Sequence, residues 1–179
     1  MDKVSSRYAQ ALLDIAEQFN GLDEFKAQAK MISKVLKENP QFTELFEKTQ
    51  ISSDEKKSLI KSVFGSQVDP MLINFLCLLI DKKRSRLAEN IFLDLIHLVN
   101  QKRNIEEGIV LSIRPLSELD IKALEDQLSL KHSVTVELTN KIDTSLLSGL
   151  KIKFKESVID ASLSYQLEAL RETLREGRS

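Results

Sequence analysis

The sequence predicts a mainly α protein: a six-helix bundle over residues 1–104, followed by a small α+β domain over residues 105–179. Three observations carry this. Apolar residues recur every three to four positions through the first hundred residues and then switch to strict alternation near residue 109, the change from helical to strand spacing. Among 179 residues there are only five Gly and three Pro, and no Trp. The chain is rich in Leu, Lys and Glu, which favour helix.

The first helix is expected from about Val4 to Phe19. Val4, Tyr8, Ala11, Leu12, Ile15 and Phe19 form one apolar stripe, and Ala9, Leu13 and Ala16 form a second beside it. Together they cover roughly 200° of the circumference, about twice what a surface helix of a bundle needs. The helix is therefore either central in its bundle or covered on a second side. Asn20-Gly21 ends it with a residue suited to left-handed geometry. A second helix follows from about Leu22 to Lys37, with Phe25, Ala29, Ile32, Val35 and Leu36 inward, and Asn39-Pro40 breaks it. A short third helix fits Gln41–Lys48. Ser52 and Glu55 have the spacing of a capping box and open a fourth, through Leu59, Ile60, Val63 and Phe64 to Gly65. The fifth begins at Pro70 and is apolar nearly all round from Met71 to Ile80, which implies burial on most sides. The sixth runs from about Ser85 to Lys102.

Asn104–Gly108 reads as a linker. Ile109, Leu111 and Ile113 then alternate with Val110, Ser112 and Arg114 as a strand. Ser117 and Asp120 can cap a helix through about Leu130. Val134, Val136 and Leu138 mark a second strand. Leu150, Ile152 and Phe154 mark a third, with one face in the core and a row of Lys151, Lys153 and Lys155 in water. Val158-Ile159 suits a short fourth strand. A last helix is expected from about Ser162 to Arg175, with Leu163, Leu167, Leu170 and Leu174 on one stripe. A core of this size is marginal alone and gains from docking on a partner.

Charge and motifs exclude several functions. The formal net charge of −1 argues against nucleic-acid binding by bulk electrostatics. Cys77 is the only cysteine, so no internal disulfide or thiolate metal cage forms, and a reducing compartment fits best. The first residues lack the apolar stretch of a signal peptide, and the apolar run from Met71 to Ile80, interrupted by Asn74, is far short of the roughly 20 residues of a membrane span. A soluble chain is expected, reaching a membrane only through partners. His97 and His132 have no ligand-type neighbour at metal or catalytic spacing. Gly65 and Gly149 are isolated, so no phosphate loop exists. Cys77 in its apolar helix reads as a small hydrophobe rather than a nucleophile. Asp143 reads as a turn former. The run Lys82-Lys83-Arg84-Ser85-Arg86 suits either an acidic partner or, more simply, cations offsetting a helix C-terminus. No catalytic residue, metal or cofactor is therefore expected. What remains is interaction surface: the wide apolar coverage of the first and fifth helices, and the last helix.

Several segments resemble the ATP synthase delta subunit family, whose mitochondrial counterpart is the oligomycin-sensitivity-conferring protein. Ser6-Arg7-Tyr8-Ala9-Gln10-Ala11-Leu12 resembles its opening helix. Asn74-Phe75-Leu76, Asp81-Lys82-Lys83-Arg84 with Leu87, and Lys102-Arg103-Asn104-Ile105 resemble the end of its helical domain. The stretch from Asp143 through Leu146-Leu147-Ser148-Gly149 to Ile152 resembles its signature of an apolar pair, a small residue, glycine and a strand. Val158-Ile159-Asp160-Ala161-Ser162 and Gln166–Arg171 continue it in order, and Leu116-Ser117-Glu118 fits its strand-to-helix turn. Ser148 and Ala161 stand where glycine is common, and Lys155-Glu156 replaces a glycine-containing turn.

The resemblance implies a non-catalytic peripheral-stalk subunit of an F-type ATP synthase, one copy per complex. It implies that residues 1–104 bind the N-terminal helix of an alpha subunit of the catalytic head, and that 105–179 meet the b subunits of the stalk. It places the chain on the cytoplasmic side of a bacterial plasma membrane or the stromal side of a thylakoid, with no nucleic acid and no direct membrane insertion. Combined with the apolar faces, it points to a groove for the alpha helix, with Tyr8, Ala11, Leu12 and Ile15 on one wall and Leu72, Phe75, Leu76 and Leu79 on the other. An adaptor unrelated to ATP synthase, and an enzyme with an unrecognised site, are the alternatives.

Overall fold

A computed structural model describes residues 3–48, 50–146, 149–154 and 157–160. Among the described residues the chain is helix-rich with one small four-stranded sheet, and it divides into two compact units, 1–100 and 101–179. The expected last helix with Leu163, Leu167, Leu170 and Leu174 lies outside the described residues. So do Leu147, Ser148, Lys155, Glu156 and Ala161.

The helices are α1 (Lys3–Gln18), α2 (Leu22–Glu38), α3 (Pro40–Glu47), α4 (Ser53–Phe64), α5 (Pro70–Asp81) and α6 (Ala88–Arg103), with a 3-10 turn (Ser85–Leu87) before α6. Local chemistry sets their ends. Asn20, not Gly21, takes the left-handed conformation after α1, with φ of 54°. The Ser52 hydroxyl accepts from the Glu55 amide at 3.3 Å while the Glu55 carboxylate accepts from the Ser52 amide at 2.9 Å, a complete capping box. These bonds hold the Glu55 carboxyl below its usual pKa. Asp69 caps α5 by accepting from the Met71 amide at 2.7 Å, and its own amide donates to Gln28 of α2, also at 2.7 Å. The sixth helix starts later than the spacing predicts, because Ser85–Leu87 forms the tighter turn first. The core of this unit takes one side of each helix, with Ala9, Leu13 and Ala16 from α1, Leu72, Leu76 and Leu79 from α5, and Ile91, Leu95 and Val99 from α6.

The second unit holds β1 (Ile105–Ser112), α7 (Glu118–His132), β2 (Thr135–Ile142), β3 (Leu150–Phe154) and β4 (Ser157–Asp160). The sheet order is β2-β1-β3-β4, with β1 parallel to β2 and antiparallel to β3. A second capping box, Ser117 with Asp120, opens α7. Residues 105–108 are not a linker: β1 begins at Ile105, and Gly108 lies opposite Leu138 of β2 and Phe154 of β3. The glycine is needed because those two large side chains fill the space above it. A Cβ there would lie 2.8 Å from Leu138 Cδ2 and 3.3 Å from Phe154 Cδ2.

The buried face of β1 is Gly108, Val110 and Ser112, while Ile109 and Leu111 are half-buried and Ile113 is exposed. The more apolar set of the alternation is thus the less buried one. The inner face is completed by Val136, Leu138, Ile152 and Phe154 under Leu128 of α7. Two side chains of α7 also satisfy amides of β2, which pairs with β1 alone among the described residues. The Val136 amide donates to Ser129 Oγ at 2.9 Å and the Leu138 amide to Glu125 Oε1 at 2.7 Å.

Asn140 ties the turn after β1 to the sheet. Its Nδ2 donates to the Val110 carbonyl at 3.0 Å and to Ser112 Oγ at 2.7 Å, and its Oδ1 accepts from the Leu116 amide at 3.0 Å. Asn140→Ala leaves these partly buried groups unpaired and is expected to destabilise the unit by about 2–3 kcal/mol. A urea titration reading the second unit checks this; an unchanged midpoint would show that water replaces the amide at no cost.

Candidate partner-binding surface

A helix that is apolar nearly all round must turn part of its apolar surface away from its own core. In α5 the inward positions are Leu72, Ile73, Leu76, Leu79 and Ile80. Their burial leaves Met71, Phe75 and Leu78, spaced i, i+4, i+7, on another face. Met71 and Leu78 are 38% and 42% exposed, and Phe75 is half-buried. On α1, Ser5, Ala9, Leu12, Leu13 and Ala16 go inward, while Tyr8, Ala11, Ile15 and Phe19 form a stripe on the other side. Tyr8 and Ile15 are half-buried, Ala11 is exposed, and Phe19, one residue past the helix, is 60% exposed.

Ring contacts join the two stripes. Tyr8 meets Phe75 edge-on with centroids 5.7 Å apart, and Phe75 meets Phe92 of α6 at 6.0 Å. Arg84 donates from Nη1 to the Tyr8 hydroxyl at 2.9 Å and lies over its ring, 5.8 Å from the centroid. Edge-to-face pairs and a cation over an aromatic face each add order-of-magnitude 1 kcal/mol beyond burial. Tyr8 and Phe75 are therefore held in place by contacts within the unit.

Of the eight residues expected to line a groove, Tyr8, Ala11, Ile15 and Phe75 lie on this surface. Leu12, Leu72, Leu76 and Leu79 are buried in the unit's own core. The reason is geometric: α5 uses its 72/76/79 face against the neighbouring helices, so the face left to solvent is 71/75/78. Met71 and Leu78 were legible only as members of an all-apolar helix. The signal that finds them is their spacing from Phe75 once the inward face is fixed.

Of the remaining polar candidates, Asp143 and His132 make local structural contacts. Asp143 Oδ1 accepts from the Ser145 amide at 3.0 Å and its hydroxyl at 2.6 Å, which orders the turn and keeps the carboxyl below its usual pKa. His97 is exposed on α6, and the His132 ring packs on Phe154 with centroids 5.0 Å apart. Among the described residues there is no group of three His, Cys, Asp or Glu able to hold a metal, and no helix long and apolar enough to cross a membrane.

Cys77 is half-buried, and burial pushes its thiol pKa up despite Lys61 and Lys57 nearby. Because the thiolate is the reacting form, iodoacetamide at pH 8 is expected to label the folded chain about 10-fold more slowly than the urea-unfolded chain. The gap should narrow as pH rises; equal rates at pH 8 would contradict the shift.

Comparison with known proteins is consistent with this organisation. The family model described as ATP synthase delta (OSCP) subunit matches residues 4–174. The chain is 33% identical to ATP synthase subunit delta of Clostridioides difficile, covering 97% of this chain and 96% of the relative. It is 36% identical to the Nostoc punctiforme protein of the same name, covering 94% and 92%. In three dimensions it is similar, with a TM-score of 0.62 and 18% identity, to a chain of the Toxoplasma gondii mitochondrial ATP synthase hexamer, covering 97% of this chain and 98% of that one.

Proposed function

Because the chain belongs to the ATP synthase delta (OSCP) subunit family, we propose that it is the non-catalytic stator subunit that joins the alpha3-beta3 catalytic head to the b subunits of the peripheral stalk. The head carries the nucleotide sites, and the rotor turns within it. If the head turned with the rotor, torque would be lost before it reached those sites. The stator's task is therefore mechanical: two docking surfaces on one polypeptide.

In this reading residues 1–104 form a six-helix bundle that seats the N-terminal helix of one alpha subunit. The observation that carries it is the paired apolar stripe, Tyr8, Ala11 and Ile15 on α1 and Met71, Phe75 and Leu78 on α5, joined through the Tyr8–Phe75 contact. An amphipathic helix laid along it buries its apolar face in the helix-in-groove manner. Residues 105–179 contact the b subunits. Joining two modest contacts in one complex raises avidity by about 10²–10⁴ where geometry permits both. The complex, not this chain, supplies the membrane anchor, and the chain sits peripherally on the cytoplasmic side of a bacterial plasma membrane or, in a plastid or cyanobacterium, on the stromal or cytoplasmic side of the thylakoid.

A tagged chain pulled from detergent-solubilised membranes is expected to bring down alpha and b subunits together. Membranes lacking the chain should keep ATP hydrolysis by detached heads and lose proton-driven ATP production. Fully coupled synthesis in its absence would overturn the reading.

A further inference from the structure

We propose that the first unit carries a second site, separate from the α1/α5 surface: a cavity that binds a small organic phosphate. The cavity measures about 570 Å3 and lies between the start of α4, the end of α5 and the basic turn that follows. Lys56 and Lys83 supply its cations; Arg86 also lines it but is already engaged in an interaction of its own. Among the described residues one carboxylate lines it, Asp81, and Lys57 engages it at 2.7 Å.

Lys56 is the informative member. It is 8% exposed, and its Nζ donates to the Lys48 carbonyl at 2.7 Å. An ammonium has three N–H donors, and that carbonyl takes one of them. A buried ammonium facing only a neutral acceptor is costly, and an anion supplies both the missing charge and the missing acceptors.

The simpler account of the basic turn, cations offsetting the α5 C-terminus, does not account for Lys83. The turn's backbone already satisfies the last carbonyls: the Lys82 amide donates to Leu78, Lys83 to Ile80 and Arg84 to Leu79, at 2.8–3.0 Å. Arg84 is drawn away to Tyr8. Lys83 and Arg86 are the members of the run that line the cavity.

A phosphate monoester or diphosphate, with a charge of about −2 or more, matches the two lysines better than a single carboxylate does. Phe46 and Ile80 supply an apolar wall against which a ring or other organic body can pack. The ligand class is therefore an anionic phosphoryl group on an apolar or aromatic body, for which ADP is a suitable probe.

The test is isothermal titration of the full-length chain with ADP, inorganic phosphate and an acidic peptide at low ionic strength. ADP is expected to saturate with a Kd below about 1 mM, to bind tighter than phosphate, and to weaken as salt is raised. Lys83 has φ of 55°, so Lys83→Gly removes a cation without adding backbone strain. It should weaken ADP about 5-fold or more while leaving alpha-peptide binding unchanged. Lys56→Met should weaken ADP further; if that variant does not fold, Lys83→Gly decides alone. Absence of saturable binding, affinity unchanged in the folded variants, or an acidic peptide that outcompetes ADP would each overturn the proposal. The last outcome would assign the cavity to a protein segment. The stator reading stands or falls separately, on alpha and b binding.

Discussion

Leu78→Asp is expected to fold like the wild type and to bind an alpha-subunit N-terminal peptide about 100-fold more weakly. The position suits the test because its side chain is 42% exposed and belongs to the outward 71/75/78 face of α5 rather than to the core. In the free protein the new carboxylate is solvated and costs little. In the complex it would be covered by the apolar face of the docked helix, and desolvating it without a partner costs a few kcal/mol, enough for a factor of about 100. Leu76 makes a poor substitute although it is only two residues away. It is 4% exposed, so Leu76→Asp would place the charge in the unit's own core and unfold it. Ala11→Asp on the opposite stripe should act like Leu78→Asp. Both are read by titrating labelled peptide, with circular dichroism confirming the fold and recovery of b subunits unchanged. Wild-type peptide affinity in a folded Leu78→Asp chain would remove the groove from this surface.

The contrast between Leu76 and Leu78 shows what was legible in the sequence and what was not. Helix ends were legible wherever a side chain makes a local bond, as at Ser52 with Glu55 and Ser117 with Asp120. Those contacts depend on residues three apart and on little else. The apolar character of α5 was legible too. Which of its faces meets the core was not, because periodicity says which residues share a face and leaves open what that face meets. The same limit appears in β1. Its alternation is plain, yet Ile109 and Leu111 lie on the less buried side, because Leu138 and Phe154 from the flanking strands converge over Gly108. Asn140 gave no local signal at all. Its partners, Val110, Ser112 and Leu116, are 24–30 residues away.

Gly108→Val should separate the two halves of the proposed function by abolishing binding of b subunits while leaving the alpha peptide bound. The glycine lies in the central part of the sheet, paired on both sides. Even a single Cβ would sit 2.8 Å from Leu138 Cδ2 and 3.1 Å from the Lys153 carbonyl oxygen. The leucine can rotate, but the carbonyl belongs to the neighbouring strand and moves only if β3 moves. Valine adds two further carbons to this space. Overpacking of this kind typically costs about 1–3 kcal/mol and more where backbone must shift, and a small core such as the one around Val110, Leu138 and Phe154 has only about 3–5 kcal/mol in hand. The first unit has a separate core, so its helices should keep their thermal transition. Gly108→Ala, which adds only the Cβ, should be intermediate. The measurement is a two-probe unfolding experiment, with helical circular dichroism for the first unit and an introduced tryptophan at Ile113 for the second, followed by pull-down of each partner. If the second unit melts and b binding survives, the stalk contact does not reside in the sheet module. If alpha-peptide binding is lost as well, the two units are not independent, and the stator cannot be two separable clamps on one chain.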